Sequence, residues 1–233
     1  MNSHYTYLLI DTATVLFPLL LSFDKKVAFY KQWKYLWIGT LLTGTIFILW
    51  DILFTQWGIW SFSNSYTLGI RLTGLPIEEW LFFFTVPYSC TFIYECLLAY
   101  FPFRKRRDKY WSVFTVLGIL LVASALVFYT KAYTFSSFIG CGIALMMLSL
   151  FRKDIPTFRA DVFLLTFLIS IVPFLIVNGV LTALPVVIYN NSENLGIRIS
   201  SIPFEDNFYG MLLMLGNIAG MEWARGRKLR VHI

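Results

Sequence analysis

Seven apolar segments of near-bilayer length constrain this 233-residue chain more than any other feature. They run over 5–23, 35–54, 76–101, 111–130, 132–151, 162–181 and 203–224. A helix needs about 20 residues to cross about 30 Å of hydrocarbon, and each segment comes near that length. The composition agrees: 58% of residues are hydrophobic and 14% charged, against about 25% charged in a soluble domain. Soluble, disordered, collagen-like and disulfide-stapled classes are thereby excluded. The expected fold is an all-α integral membrane protein of seven transmembrane helices. No cleavable signal peptide is expected, because residues 1–4 lack a basic region and the first segment runs on at full span length.

Charge orients the spans. Lys25, Lys26, Lys31 and Lys34 follow the first, Arg104, Lys105, Arg106, Arg107 and Lys109 the third, and Arg152, Lys153 and Arg159 the fifth. Arg225, Arg227, Lys228 and Arg230 follow the seventh, so 16 of the 19 Lys and Arg share one side. Only Arg71, Lys131 and Arg198 lie opposite. The positive-inside rule predicts an inner-membrane protein with its N-terminus outside and its C-terminus in the cytoplasm. The basic residues are juxtamembrane clusters rather than a groove, which argues against nucleic acid as a partner. Cys90, Cys96 and Cys141 all lie in predicted spans without CxxC spacing and read as small apolar packers.

The chain repeats itself. Leu68-Gly69-Ile70-Arg71-Leu72-Thr73-Gly74-Leu75-Pro76-Ile77-Glu78-Glu79 returns as Leu195-Gly196-Ile197-Arg198-Ile199-Ser200-Ser201-Ile202-Pro203-Phe204-Glu205-Asp206, 127 residues later. The same shift lays Asp51 on Asn178, Asn64 on Asn191 and Glu95 on Glu222, and spans one to three on spans five to seven. The expected organisation is a first repeat over 1–110, a connector span over 111–131 and a second repeat with its basic tail over 132–233. An odd connector makes the two triplets parallel repeats in a 3+1+3 plan, so both Pro-x-acid-acid motifs lie at the same outer depth, facing a central cavity. The outer loops before the motifs alternate apolar and polar residues, which predicts short β-hairpins.

Glu78, Glu79, Glu205 and Asp206 are the candidate site. An acid in the first turn of a helix complements the helix dipole. Two adjacent acids repeated at the edge of apolar spans point further, because ionisable groups at membrane depth are costly and mark function. In a dry site some carboxyls stay protonated while others ionise, which makes an acid/base set. Arg71 and Arg198 either hold one acid ionised or pack the hairpins. Asp51 and Asn178 end spans two and six at the motifs' depth, as supporting partners or solvated helix ends. Glu95 lies about 25 Å along the helix from Glu78, so a structural role is expected there and at Glu222; Asp11, mid-span, is left without a role. Aromatic faces stabilise cations, which makes Trp57, Trp60, Trp80, Phe82 and Tyr88 candidates for lining a substrate cavity.

Paired Pro-x-Glu-Glu and Pro-x-Glu-Asp motifs in a two-repeat chain resemble the lycopene cyclase domain in its fused form. The resemblance covers nearly the whole chain and is sharpest at 68–79 and 195–206. It implies cyclisation of the acyclic ends of lycopene to β-rings, with Glu78, Glu79, Glu205 and Asp206 as catalytic groups and a lipophilic polyene as substrate. No GxGxxG stands at a strand-to-helix turn and no metal-ligand cluster is visible, so no cofactor and no metal are expected. The second motif continues Asn207-Phe208 where the first has Trp80-Leu81, a departure that suggests unequal halves. A parallel-repeat sugar transporter of the SWEET type and a carotenoid hydratase are the alternatives. A retinal-binding receptor is set aside because span seven has no lysine, and a prenyltransferase because no Asp-rich diphosphate motif is present.

Overall fold

The computed structural model describes residues 3–101 and 109–231; Arg104, Lys105, Arg106 and Arg107 lie outside them. Seven helices form where the apolar segments stand: α1 (Thr6–Leu21), α2 (Trp33–Gln56), α3 (Ile77–Tyr100), α4 (Lys109–Val127), α5 (Ala132–Leu150), α6 (Ala160–Ala183) and α7 (Asp206–Val231). The five helices from α2 to α6 are long and apolar enough to cross a membrane, whereas α1 is apolar but has 16 residues. It stops short of the expected boundary because Ser22 turns back on it: its hydroxyl donates to the Pro18 carbonyl and stands 2.5 Å from the Tyr88 hydroxyl. Conversely, α7 runs past its apolar part into the basic residues from Arg225 onward.

The molecule is arranged for lipid rather than water. Leu41, Leu42, Ile46 and Leu49 of α2, and Val172 and Ile176 of α6, are exposed, while Asp51, Glu78, Glu79, Glu205 and Asp206 are buried. A soluble protein does not leave so broad an apolar surface uncovered; this is a multi-pass membrane protein.

Three pairs of short strands gather over the N-terminal ends of α3 and α7. They are β1 (Trp60–Phe62), β2 (Arg71–Leu72) and β3 (Leu75–Pro76), then β4 (Val187–Tyr189), β5 (Arg198–Ile199) and β6 (Ile202–Pro203). Each second-repeat strand lies 127 residues after its counterpart, as α6 does after α2. β2 pairs with β3 and β5 with β6 as local hairpins. In the first, Thr73 (φ 53°) and Gly74 (φ 94°) supply the two positive-φ positions of a tight hairpin turn. β1 pairs antiparallel with β4 across the repeats, Trp60 opposite Tyr189 and Ser61 opposite Ile188. Ser61 and Ile188 are themselves repeat equivalents, so the ribbon has the register that a two-fold axis through its centre demands.

Candidate active site

The two motifs are built alike and their acids divide the work. Pro76 is extended (φ −58°, ψ 148°) and precedes α3 instead of occupying its first turn, which leaves Glu78 and Glu79 as the second and third helical residues. Glu78 Oε1 accepts the main-chain N–H of Leu68 at 2.7 Å, and Glu205 Oε1 accepts that of Leu195 at 2.8 Å, the equivalent atoms of the second repeat. Glu205 also accepts the Thr134 hydroxyl at 2.6 Å. The first acid of each motif therefore pins an outer loop to the start of a helix.

The second acids point elsewhere. Glu79 and Asp206 line one small cavity of about 70 Å³, together with Asp51. Glu79 accepts the Tyr7 hydroxyl at 2.6 Å and shares the cavity wall with the Asp51 carboxyl. Asp51 also accepts the Trp60 indole N–H. Asp206 accepts two phenols, Tyr133 at 2.5 Å and Tyr189 at 3.0 Å. Burial and the neighbouring Asp206 hold the Tyr189 hydroxyl well above the ordinary phenol value, so it remains a donor at any physiological pH. The β1–β4 ribbon roofs the cavity, with Trp60 and Tyr189 both reaching down from it.

Aromatic rings surround these carboxyls. Trp60 meets the Tyr133 ring edge-on at 5.2 Å and the Tyr209 ring at 6.1 Å, and Tyr133 stacks on Tyr189 at 5.8 Å. Such faces attract a positive charge placed among them.

A larger apolar chamber of about 440 Å³ lies beside the acid pocket, between α1, α3, α6 and α7. Phe82, Val86, Phe174, Asn178 and Gly210 line both spaces, so the two adjoin. Two of the chamber's three hydroxyls are bonded to main chain: Ser89 donates to the carbonyls of Thr14 and Thr85, and Thr14 donates to that of Ile10, while Ser170 Oγ is buried without a partner among the described residues.

The other sequence-singled residues fall into place around this arrangement. Asn178 stands at the junction of the two spaces, and Phe82 with it. Arg71 and Arg198 staple the hairpins: each donates to a turn carbonyl (Gly74, Ser201) and to a side-chain amide oxygen (Asn64, Asn191). Arg198 additionally lies 5.6 Å over the Tyr189 ring. Trp57 is exposed, Trp80 donates to the Leu72 carbonyl on the first hairpin, and Tyr88 is bonded to Ser22 and Trp33; none of the three lines either space. Asp11 is buried one turn below Tyr7, and both its carboxyl oxygens are without a hydrogen-bond partner among the described residues. At the opposite end of the molecule Arg225 joins Glu95 at 2.6 Å and Glu222 at 2.8 Å.

Tyr7, Tyr133, Tyr189 and Tyr209 were not visible as site residues in the sequence. The reason is that none repeats: Thr6-Tyr7 corresponds to Tyr133-Thr134 with the order reversed, so Tyr7 and Tyr133 each align with a threonine, and Tyr189 and Tyr209 align with Phe62 and Phe82.

A family model described as lycopene cyclase matches residues 4–97 and 130–224, one stretch in each repeat. The chain belongs to the lycopene cyclase family. The cyclase is thus an enzyme of carotenoid biosynthesis with a lipophilic carotenoid substrate, and its two matched stretches coincide with the two halves that share the acid pocket. The match lends no support to the transporter or hydratase alternatives. No curated protein and no solved structure matches the chain.

Proposed function

We propose that the cyclase closes β-rings on lycopene by proton transfer without redox change, and that the pocket shared by Asp51, Glu79 and Asp206 is where it does so. The observation that carries this reading is the unequal hydrogen bonding of the carboxyls around one shared cavity. Asp51 and Glu79 line the same cavity, and two carboxyls sharing one space resist carrying two negative charges, so this pair is the proton donor in our reading. Asp206 accepts two phenolic hydrogen bonds and is the proton acceptor in our reading. One cavity thus offers a proton donor and a proton acceptor.

In the reaction, the Asp51–Glu79 pair gives its proton to the terminal double bond of the polyene, leaving a tertiary cation. The π electrons of a nearby double bond attack that cation and form the new carbon–carbon bond of a six-membered ring. The cation produced by closure loses a ring proton to Asp206, and the ring double bond forms. One proton enters and one leaves, so substrate and product are isomers. The proton on Asp206 then returns across the same pocket to the Asp51–Glu79 pair, through water when the polyene end has left; about 70 Å³ accommodates a few molecules. During the reaction the apolar chamber and the rings of Trp60, Tyr133 and Tyr209 keep water from trapping the cation and favour its charge. Glu78 and Glu205 act by positioning, since each holds a loop to the helix that carries the second acid.

We place the chain in the inner membrane as parallel triplets about a connector helix, with the acid pocket at the outer end and the C-terminus in the cytoplasm, following the distribution of lysine and arginine. Expression in lycopene-accumulating cells tests the function: ringed carotenoid is expected by chromatography. Unchanged lycopene alongside abundant membrane-inserted protein refutes it.

A further inference from the structure

The two repeats are related by an axis, yet only one side of the molecule is open. The α2–α7 interface and the α3–α6 interface are repeat equivalents. In the first, the helices touch backbone to backbone. A Cβ on Gly39 would lie 2.3 Å from the Asn217 carbonyl oxygen, one on Gly220 would lie 2.7 Å from the Gly39 Cα, and one on Gly216 would lie 2.8 Å from the Thr43 side chain. Nothing can pass between helices packed this closely.

At the equivalent interface the glycines are gone. Shifting by 127 residues replaces Gly39 by Thr166, Gly216 by Ser89, Asn217 by Cys90, Gly220 by Ile93 and Thr43 by Ser170. Four of these five, all but Thr166, line the apolar chamber. Side chains of ordinary size hold α3 and α6 apart where glycines draw α2 and α7 together. Pro18 of α1 and Pro173 of α6 also stand in the chamber wall, and their equivalents, Leu145 and Ile46, are ordinary helix residues. The chamber reaches the lipid-facing surface between α1 and α6, where its lining residues Phe17 and Ile176 are 70% and 64% exposed.

We propose that the chain has a single polyene chamber, entered from the bilayer between α1 and α6, and therefore cyclises one end of its substrate per binding event. This rests on the cyclase reading above. The chamber follows α3 from Phe82 to Ile93, about 17 Å of helix, and meets carboxyls at one end only. A linear polyene inserted there presents one terminus to the acids. Its other terminus reaches them only after the half-cyclised molecule has backed out and returned reversed. The unlike halves of the pocket have the same meaning: three carboxyls from two repeats make one acid/base set, not two.

The test uses the full chain in lipid vesicles with lycopene in large molar excess, following product composition over the first turnovers. Monocyclic product is expected to exceed the amount of enzyme at least tenfold before bicyclic product rises, or to be the sole product. Bicyclic product without a lag, with monocyclic product never above one equivalent per chain, overturns the proposal. A second arm narrows the mouth. Ile176→Trp at one lip and Ala13→Trp at the other are expected to slow ring formation at least tenfold. Leu49→Trp, at the repeat equivalent of Ile176 and likewise exposed, is expected to react at the unaltered rate. Equal rates in all three mean that the chamber is a seat for a lipid acyl chain, and equal loss in all three means that the mouth is not on this side; either overturns the proposal. Absence of any ringed product from the unaltered chain overturns the cyclase reading itself.

Discussion

Adjacent acids in one motif have different surroundings, and substitution separates them. Glu79 and Asp206 face the shared cavity, so Glu79→Gln and Asp206→Asn are expected to lower the rate of ring formation by about 100-fold or more with membrane content unchanged by immunoblot. Glu78 and Glu205 accept main-chain N–H groups instead. Glu78→Ala orphans the Leu68 amide, a loss of about 1–3 kcal/mol. Its expected signature is a lower unfolding temperature in detergent, with ring formation per folded molecule falling far less than in Glu79→Gln. Tyr133→Phe leaves Asp206 with Tyr189 as a phenolic donor. Its expected effect is a rate loss smaller than that of Asp206→Asn, since the base survives with less support for its charge.

Among the elements, the hairpins and the glycine-packed helix pair determine where the acids stand. Arg71 spans the first hairpin by donating to Gly74, Asn64 and Phe62. Because that hairpin runs directly into α3, Arg71→Ala is expected to loosen the start of the helix that carries Glu79. The measurement is hydrogen exchange at 68–79, which should quicken, with a lesser change at 195–206. In the α2–α7 pair, Gly39 leaves no space for a side chain. Gly39→Leu is expected to cause loss of folded protein, read by size-exclusion chromatography of the detergent extract, since two backbones in contact cannot yield as a flexible side chain can.

At the scale of the whole molecule, the two repeats are tied at both ends, by the β1–β4 ribbon above the acids and by Arg225 between Glu95 and Glu222 below. Glu222 is fully buried and Glu95 nearly so. Removing the guanidinium leaves two acids without their common partner, so Arg225→Met is expected to destabilise the fold by about 3–5 kcal/mol. Thermal unfolding in detergent checks this. Ring formation per folded molecule should be retained, because the clamp is a helix length away from the acid pocket.

The division between sequence and structure follows from what each kind of signal depends on. Apolar helices and the repeat are local or periodic properties: apolar run length reports the bilayer, and an ungapped shift of 127 residues reports duplication whatever the packing. The family resemblance rested on the same repeated motifs and was met by the match in both halves. The depth of Asp51 and Asn178 was legible too, because both end helices level with the motifs, but that they turn inward and not to solvent was not. Rotation about a helix axis was not legible. Whether Glu78 or Glu79 faces the cavity depends on a difference of about 100° per residue, and only the docking of the outer loops on α3 and α7 settles it. The tyrosines escaped for a related reason, since a reversed Thr-Tyr order in one repeat breaks the alignment while the folded helices still bring both rings to the acids. The sequence by itself determined a duplicated membrane bundle with paired acids at one depth. Which acids share a pocket, and that one of two equivalent interfaces closes on glycine while the other stays open, was decided by tertiary packing, because both depend on contacts between segments far apart in the chain.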